Sequence, residues 1–429
     1  MKTSPSSFLL LAGLSLNLAA CAAGHSTPTP TAIVLKATEK KVKEKPVQKG
    51  KVQDNELRTG AEQTEKYLPY LQGKRVGMVV NPTSIIGKET TVDSLLKLGV
   101  NIVKIFGPEH GFRGNASAGI HVNDAIDAKT GIKAVSLYGK NASPSKEELA
   151  DVDVMVFDIQ DVGVRFYTYI NTLQHVMEAC AAQNKEVLIL DRPNPNGFYI
   201  DGPILDPKLA SGIGLQPIPI VHGLTVGEYA QMLNGEGWLK NKLKCKIKII
   251  KVANYQHDLP YELPVKPSPN LNTAQSILLY PTTCLFEGTY LNHGRGTQFP
   301  FTIIGAPALK GKYNFSFTPK SIKGMAESPI FQNKLCFGLD LRNYDTEKIR
   351  SAKILNLNWI IELYEASPNK ADFFNYKLSN QMNNFDKLAG DASLRKQIIA
   401  GKSEKEIRAS WEPGLSRYKT MRKKYLLYP

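Results

Sequence analysis

Residues 152–163 read VDVMVFDIQDVG: an almost unbroken apolar run that closes on Asp158, Gln160 and Asp161 and turns at Gly163. A run this short, apolar at nearly every position, predicts a strand buried on both faces rather than one that alternates between core and water. A long helical pattern over 165–183 comes after it. The same unit recurs on either side. Runs at 76–80 and 100–106 bracket a helical stretch at 91–98, and further runs lie at 187–190, 217–221 and 243–252, with a helix at 226–233. Apolar strands separated by amphipathic helices define an α/β fold with a mostly parallel sheet covered on both faces.

The polar residues that could do chemistry gather at the strand ends. The runs open into Asn81-Pro82-Thr83, Gly107-Pro108-Glu109-His110-Gly111, Gln160-Asp161-Val162-Gly163, Asp191-Arg192-Pro193-Asn194-Pro195-Asn196-Gly197 and His222-Gly223. Ligands of open α/β sheets bind outside the carboxyl ends of the strands. These five ends hold acids, amides, His and Arg beside turn-fixing Gly and Pro, and none holds Lys. They are read as the rim of one pocket. A Gly-, Pro- and Asn-rich crossing segment, 266–307, supplies Asn270, Asn272, Glu287 and Arg295 and could close the pocket from the far side. Beyond it, 311–429 reads as a second, smaller α/β domain with a β-like piece at 336–341, helices at 357–364 and from 407, and a basic end. The expected divisions are therefore 59–265 for the sheet domain and 266–429 for the remainder.

With 429 residues, 42% of them hydrophobic, the chain can bury more than one core, and Gly and Pro lack any repeat. The net charge of +15 falls to +10 once Lys2 and residues 22–58 are set aside, since these hold nine basic and four acidic residues. No basic-aromatic module or zinc-finger spacing turns that excess into a nucleic-acid site. At the N-terminus, Lys2, an apolar stretch over 8–18 and Leu18-Ala19-Ala20-Cys21 make a secretory signal over 1–20. The Cys placed after Leu-Ala-Ala resembles a bacterial lipobox, which would make Cys21 lipidated and a membrane anchor. Ala22 rather than Asp after it favours the outer membrane, facing the periplasm. Residues 21–58, with Thr-Pro repeats and then Lys and Glu, read as tether. Cys180, Cys245, Cys284 and Cys336 lack both framework and ligand spacing and are expected as buried thiols.

The strings GPEHGFRG (107–114), FDIQDVGVRFYTYI (157–170), DRPNPNG (191–197), PSPNLNT (267–273) and LFEGT…GRGT (285–297) together resemble one family, the NamZ-type exo-β-N-acetylmuramidases, formerly a domain of unknown function. The resemblance spans residues 60–429 and departs from the family only in the lipobox and tether. It implies a Rossmann-like catalytic domain with a smaller C-terminal domain. It also implies release of N-acetylmuramic acid (MurNAc) from the non-reducing end of peptidoglycan fragments, without a cofactor. Composition and periodicity say nothing of that substrate.

Glycoside hydrolysis needs an acid to protonate the leaving oxygen and a second group to activate water or stabilise the sugar cation. Glu109, held in a turn between Gly107 and Gly111, is the expected acid, and the resemblance points to the same residue. His110 beside it orders the loop or touches sugar hydroxyls. Asp161 and Glu287 compete as second carboxyl, while Asp158 reads as a buried hydrogen-bond partner. A third route uses the substrate's own acetamido oxygen, so the stereochemical course stays open. The anionic lactyl ether of MurNAc calls for an Arg fork, from Arg113, Arg165, Arg192 or Arg295, the last two of which could instead hold loops. Tyr167 and Tyr169 could stack on a sugar or pack in the core, and Asn81, Gln160, Asp191, Asn194, His222, Asn270 and Asn272 complete the expected binding set. No Gly-x-Ser-x-Gly elbow, Walker loop or His-Glu-x-x-His occurs. Two rivals remain: a lipid-anchored binding protein for sugars or muropeptides, and a hexosaminidase acting on N-acetylglucosamine.

Overall fold

A computed structural model of the chain describes residues 55–108, 111–113, 125–374 and 385–429. The signal, Cys21, the tether up to residue 54, and the Glu109-His110 pair lie outside the described residues.

Seven strands form the main sheet: β1 Val76–Val80, β2 Ile102–Gly107, β3 Ala125–Ile126, β4 Lys133–Ser136, β5 Val154–Asp158, β6 Glu186–Leu190 and β7 Lys246–Ile250. Their spatial order is β3-β4-β2-β1-β5-β6-β7. All pairings are parallel except that of the short edge strand β3 with β4. β1 and β5 are buried at every position, and their side chains alternate between two cores. Val79, Met155 and Phe157 face one; Val76, Met78, Val80, Val154 and Val156 face the other. The first core runs on into the C-terminal part through Leu363, Phe373 and Trp411, so the two lobes share one apolar interior.

The C-terminal lobe carries a three-stranded antiparallel sheet, β8 Ile303–Ala306, β9 Ser316–Phe317 and β10 Cys336–Asp340, in the order β8-β10-β9. Helices Asn358–Ala366 and Glu404–Arg422 belong to this lobe. The α/β class is as the sequence predicts. The expected strand at 217–221 is not one. Pro217 and Pro219 remove two ladder donors, and only isolated bridges of Val221 to Val164 and Asp201 remain. Strands β3 and β4, not expected from the sequence, complete the sheet on its other side. Cys180, Cys245, Cys284 and Cys336 are free and buried. Among the described residues no helix is long and apolar enough to cross a membrane.

Candidate active site

The order in which strands are added to the sheet reverses between the parallel neighbours β1 and β5, so their carboxyl ends lie beside one another with loops leaving to opposite sides, the geometry in which α/β sheets open a crevice. The loop after β1 is tied to the loop after β5 through one hydroxyl. Asn81 Oδ1 accepts from the Thr83 amide at 2.9 Å and from Thr83 Oγ1 at 2.5 Å, while Thr83 Oγ1 accepts from the Gln160 amide at 3.0 Å. Ser84 donates to the Asp158 carbonyl. Gln160 Nε2 then donates to the carbonyls of Asp161 and Pro193, each at 2.7 Å, which brings in the loop after β6. Asn196 completes the clamp: its Nδ2 donates to Val162 O at 2.9 Å and Ile277 O at 3.2 Å.

Two buried carboxyls, Asp161 at this edge and Glu287 in the crossing segment, have opposite environments. Asp161 is buried, its Oδ1 accepting from the Gly163 amide at 2.7 Å and its Oδ2 finding no hydrogen-bond partner among the described residues. Burial pushes its pKa up to about 7 against the pull of the Gly163 and Val162 amides. His222 Nε2 lies 3.8 Å from Asp161 Oδ1. The His222 Nδ1 accepts from the Leu224 amide at 3.2 Å, which leaves the proton on Nε2. Burial, helped by Arg422 and Arg165, lowers that imidazole to about 3, so it is neutral. Glu287 is the reverse case. Burial raises its pKa, but Arg295 at 2.6 Å and His293 at 3.4 Å outweigh this and hold it at about 2. A carboxyl protonated near neutrality and another that stays ionised are the two states that acid and base chemistry require.

The remaining expected residues divide sharply. Arg165, predicted at the rim, is fully buried: its guanidinium donates to Pro203 O at 3.1 Å, Ile218 O at 2.8 Å and Leu388 O at 2.8 Å, and it packs the two lobes together. Arg192 is likewise buried and forks Asp158 at 2.7 and 3.1 Å, with Thr91 donating to the same carboxylate at 2.6 Å. Both are drawn inward because carbonyls and a carboxylate distant in sequence meet them there. Arg113 forks Asp127 at 2.6 and 2.7 Å. It and Arg295 keep 28% and 26% of their side chains exposed and are the two of the four that reach solvent. Tyr167 and Tyr169 take the core alternative, meeting edge to face at 5.0 Å, with the Tyr167 hydroxyl on Pro267 O at 2.7 Å. Asp191 is a buried hub that accepts from Tyr428 at 2.6 Å, Thr225 at 2.7 Å and the Gly227 amide at 2.9 Å. Asn194 spends its Nδ2 on Leu224 O at 2.9 Å and its Oδ1 on the Asn196 amide at 2.9 Å. Asn270 and Asn272 pin Met325 O and Gln298 O at 2.9 and 3.1 Å, and the Oδ1 of each is buried without a partner among the described residues. Asn81 Nδ2 is in the same condition.

No local pattern singles out His293, although it lies within residues 285–297, or Tyr428, which nothing nearby in the chain connects with Asp191. Among the described residues no group of three or more His, Cys, Asp or Glu side chains is placed to hold a metal ion.

A mostly parallel, Rossmann-like sheet whose strand order reverses between β1 and β5, with the buried carboxyl of Asp161 at that carboxyl edge, defines the class: a two-lobed α/β protein. The chain belongs more narrowly to the NamZ exo-β-N-acetylmuramidase family, whose N-terminal model matches residues 76–275 and whose C-terminal model matches residues 278–428. It is 39% identical over 378 residues to the peptidoglycan β-N-acetylmuramidase NamZ of Bacillus subtilis (strain 168), covering 84% of this chain and 89% of that protein. Two crystal structures of DUF1343 family proteins from Bacteroides fragilis NCTC 9343 share the fold. One has a TM-score of 0.80 at 45% identity, over 87% of this chain and 99% of that one. The other has a TM-score of 0.74 at 29% identity, over 87% of this chain and all of that one.

Proposed function

We propose that the protein is an exo-acting glycosidase that releases MurNAc from the non-reducing end of peptidoglycan fragments. The observation that carries this reading is the likeness to a peptidoglycan β-N-acetylmuramidase across both lobes. Three carboxyls are the candidates for the chemistry. Glu109, by its place after β2, and Asp161, protonated near neutrality, are the candidates to protonate the leaving oxygen. Glu287, ionised and gripped by Arg295, is suited to stabilising positive charge that develops on the sugar. The exposed faces of Arg113 and Arg295 are the candidates to meet the lactyl carboxylate. Cys21, on the strength of Leu18-Ala19-Ala20-Cys21, is proposed as a lipid anchor that places the enzyme in the cell envelope, facing the periplasm.

A chromogenic MurNAc glycoside and its N-acetylglucosamine counterpart, incubated with the purified protein and with Glu109→Gln, test the reading. Release from MurNAc alone, reduced at least about a hundredfold in the variant, is the expected result for a general acid. Release from both sugars alike would make the protein a hexosaminidase, and binding without release would make it a binding protein. The anchor is checked by fractionation: Cys21→Ser should move the protein from the membrane to the soluble fraction, and its staying on the membrane would refute lipidation at Cys21.

A further inference from the structure

A cavity of about 270 Å³ lies between the loops after β6 and β7 and the C-terminal lobe. Its walls include Pro195, Tyr261, Ala274, Ile277 and Leu278, with Glu262, Glu347 and Arg350 as its charged groups. Two ties bind it to the candidate site. Asn196, next to Pro195, donates to both Val162 O, one residue after Asp161, and Ile277 O in the cavity wall. The Tyr261 hydroxyl lies within the field of Arg192, the buried partner of Asp158 at the end of β5. Cavities of about 360 and 350 Å³ elsewhere are lined by other residues, such as Phe331 and Lys334 in one and His257 and Arg422 in the other, and by none from residues 81–84, 160–163 or 191–196.

We infer that this cavity receives the neutral N-acetylglucosamine ring on the leaving side of the scissile bond. The inference rests on the proposed activity and extends it to the second half of the substrate. The volume falls just under the span of roughly 300–1,000 Å³ typical of sites for drug-sized ligands, which suits a single ring. Pro195, Ala274, Ile277 and Leu278 offer apolar surface to ring C–H groups and an acetyl methyl, and Tyr261 adds an amphipathic edge. Charge decides between the two sugars. Glu262 and Glu347 outnumber Arg350, which has Glu347 at 4.0 Å and lies over the Phe198 ring at 4.7 Å. An anionic lactyl group entering here would meet net negative charge, whereas an uncharged hexosamine would not.

Ala274 and Leu278 lie one turn apart on the same face of helix Ala274–Thr283, and Ala274 is exposed. Ala274→Trp and, separately, Leu278→Trp fill the cavity from that wall in the full-length protein. Two substrates are compared: the MurNAc-β-1,4-N-acetylglucosamine disaccharide and MurNAc fluoride, whose leaving group is too small to reach the cavity. In both variants kcat/KM for the disaccharide should fall at least tenfold relative to that for the fluoride, chiefly through KM, with a melting curve like that of the parent. Equal losses on the two substrates in a folded variant, or no loss on either, would overturn the subsite while leaving the activity in place. A parent protein that turns over neither substrate would bring down the functional reading and the subsite with it.

Discussion

At the scale of single residues, Asp161 and His222 set opposite pH demands within 3.8 Å of one another. The folded-state pKa of Asp161 stands at about 7, above that of an unfolded aspartate. Its contribution to stability is therefore fully present below about pH 4 and is lost as pH rises towards 7. His222, lowered to about 3, contributes stability above about pH 6.5 that is lost as pH falls. Asp161→Asn removes the first of these alone. Between about pH 4 and 7 the parent should lose up to roughly 4 kcal/mol relative to the variant, at about 1.4 kcal/mol per pH unit, as read by denaturant melts at fixed ionic strength. Parallel stability curves would show that Asp161 titrates normally. The same variant sorts the acids: a hundredfold loss of turnover makes Asp161 the proton donor, and a loss under tenfold leaves that role to Glu109.

At the scale of elements, the crevice depends on the loops after β5 and β6 interlocking. Gly163 has φ +76°, and a Cβ there would stand 2.2 Å from Asn194 Oδ1, the atom that accepts from the Asn196 amide. Gly163→Ala should therefore cost about 2–4 kcal/mol, well beyond the backbone term of about 1 kcal/mol for a non-glycine at positive φ. It should also lower kcat at least tenfold by displacing the Asp161 carboxyl that Gly163 holds. Gly131→Ala is the control, at φ +71° with open space around it; if the two variants melt alike, the interlock contributes nothing. These loops were partly legible in the sequence, for a physical reason. Strands buried on both faces are apolar throughout, so β1, β2, β5 and β6 stand out and their polar ends stand out with them. The 217–221 run was apolar enough to mislead because burial does not require a ladder, and its two prolines decided the matter. Short, half-exposed β3 and β4 leave no such imprint.

At the scale of the whole molecule, long-range partners decide what a side chain does, and there the sequence was silent. Tyr428 reaches Asp191 across 237 residues. Arg165 reaches Leu388 across 223 residues, while its other nitrogen holds Pro203 and Ile218 in the sheet lobe. An Arg near a strand end looks the same in sequence whether it faces a ligand or three carbonyls. Here the guanidinium is a cross-brace, and Gly390 leaves room for it, since a Cβ there would stand 2.4 Å from Nη2. Arg165→Met keeps the apolar stem but strands three buried carbonyls, each costing about 1–3 kcal/mol when left unmet. Losing the buried charge offsets part of that, so a net destabilisation of about 3–5 kcal/mol is expected. Arg165→Lys should recover little, because a single ammonium cannot span carbonyls that a planar fork bridges from two sides. Because the lobes share one core, the parent should melt in a single transition. In Arg165→Met the C-terminal lobe should loosen first, visible as faster amide exchange in helix Phe385–Ala389 than in β5. Uniform exchange in both elements, or a methionine variant as stable as the parent, would mean that the apolar core alone joins the lobes.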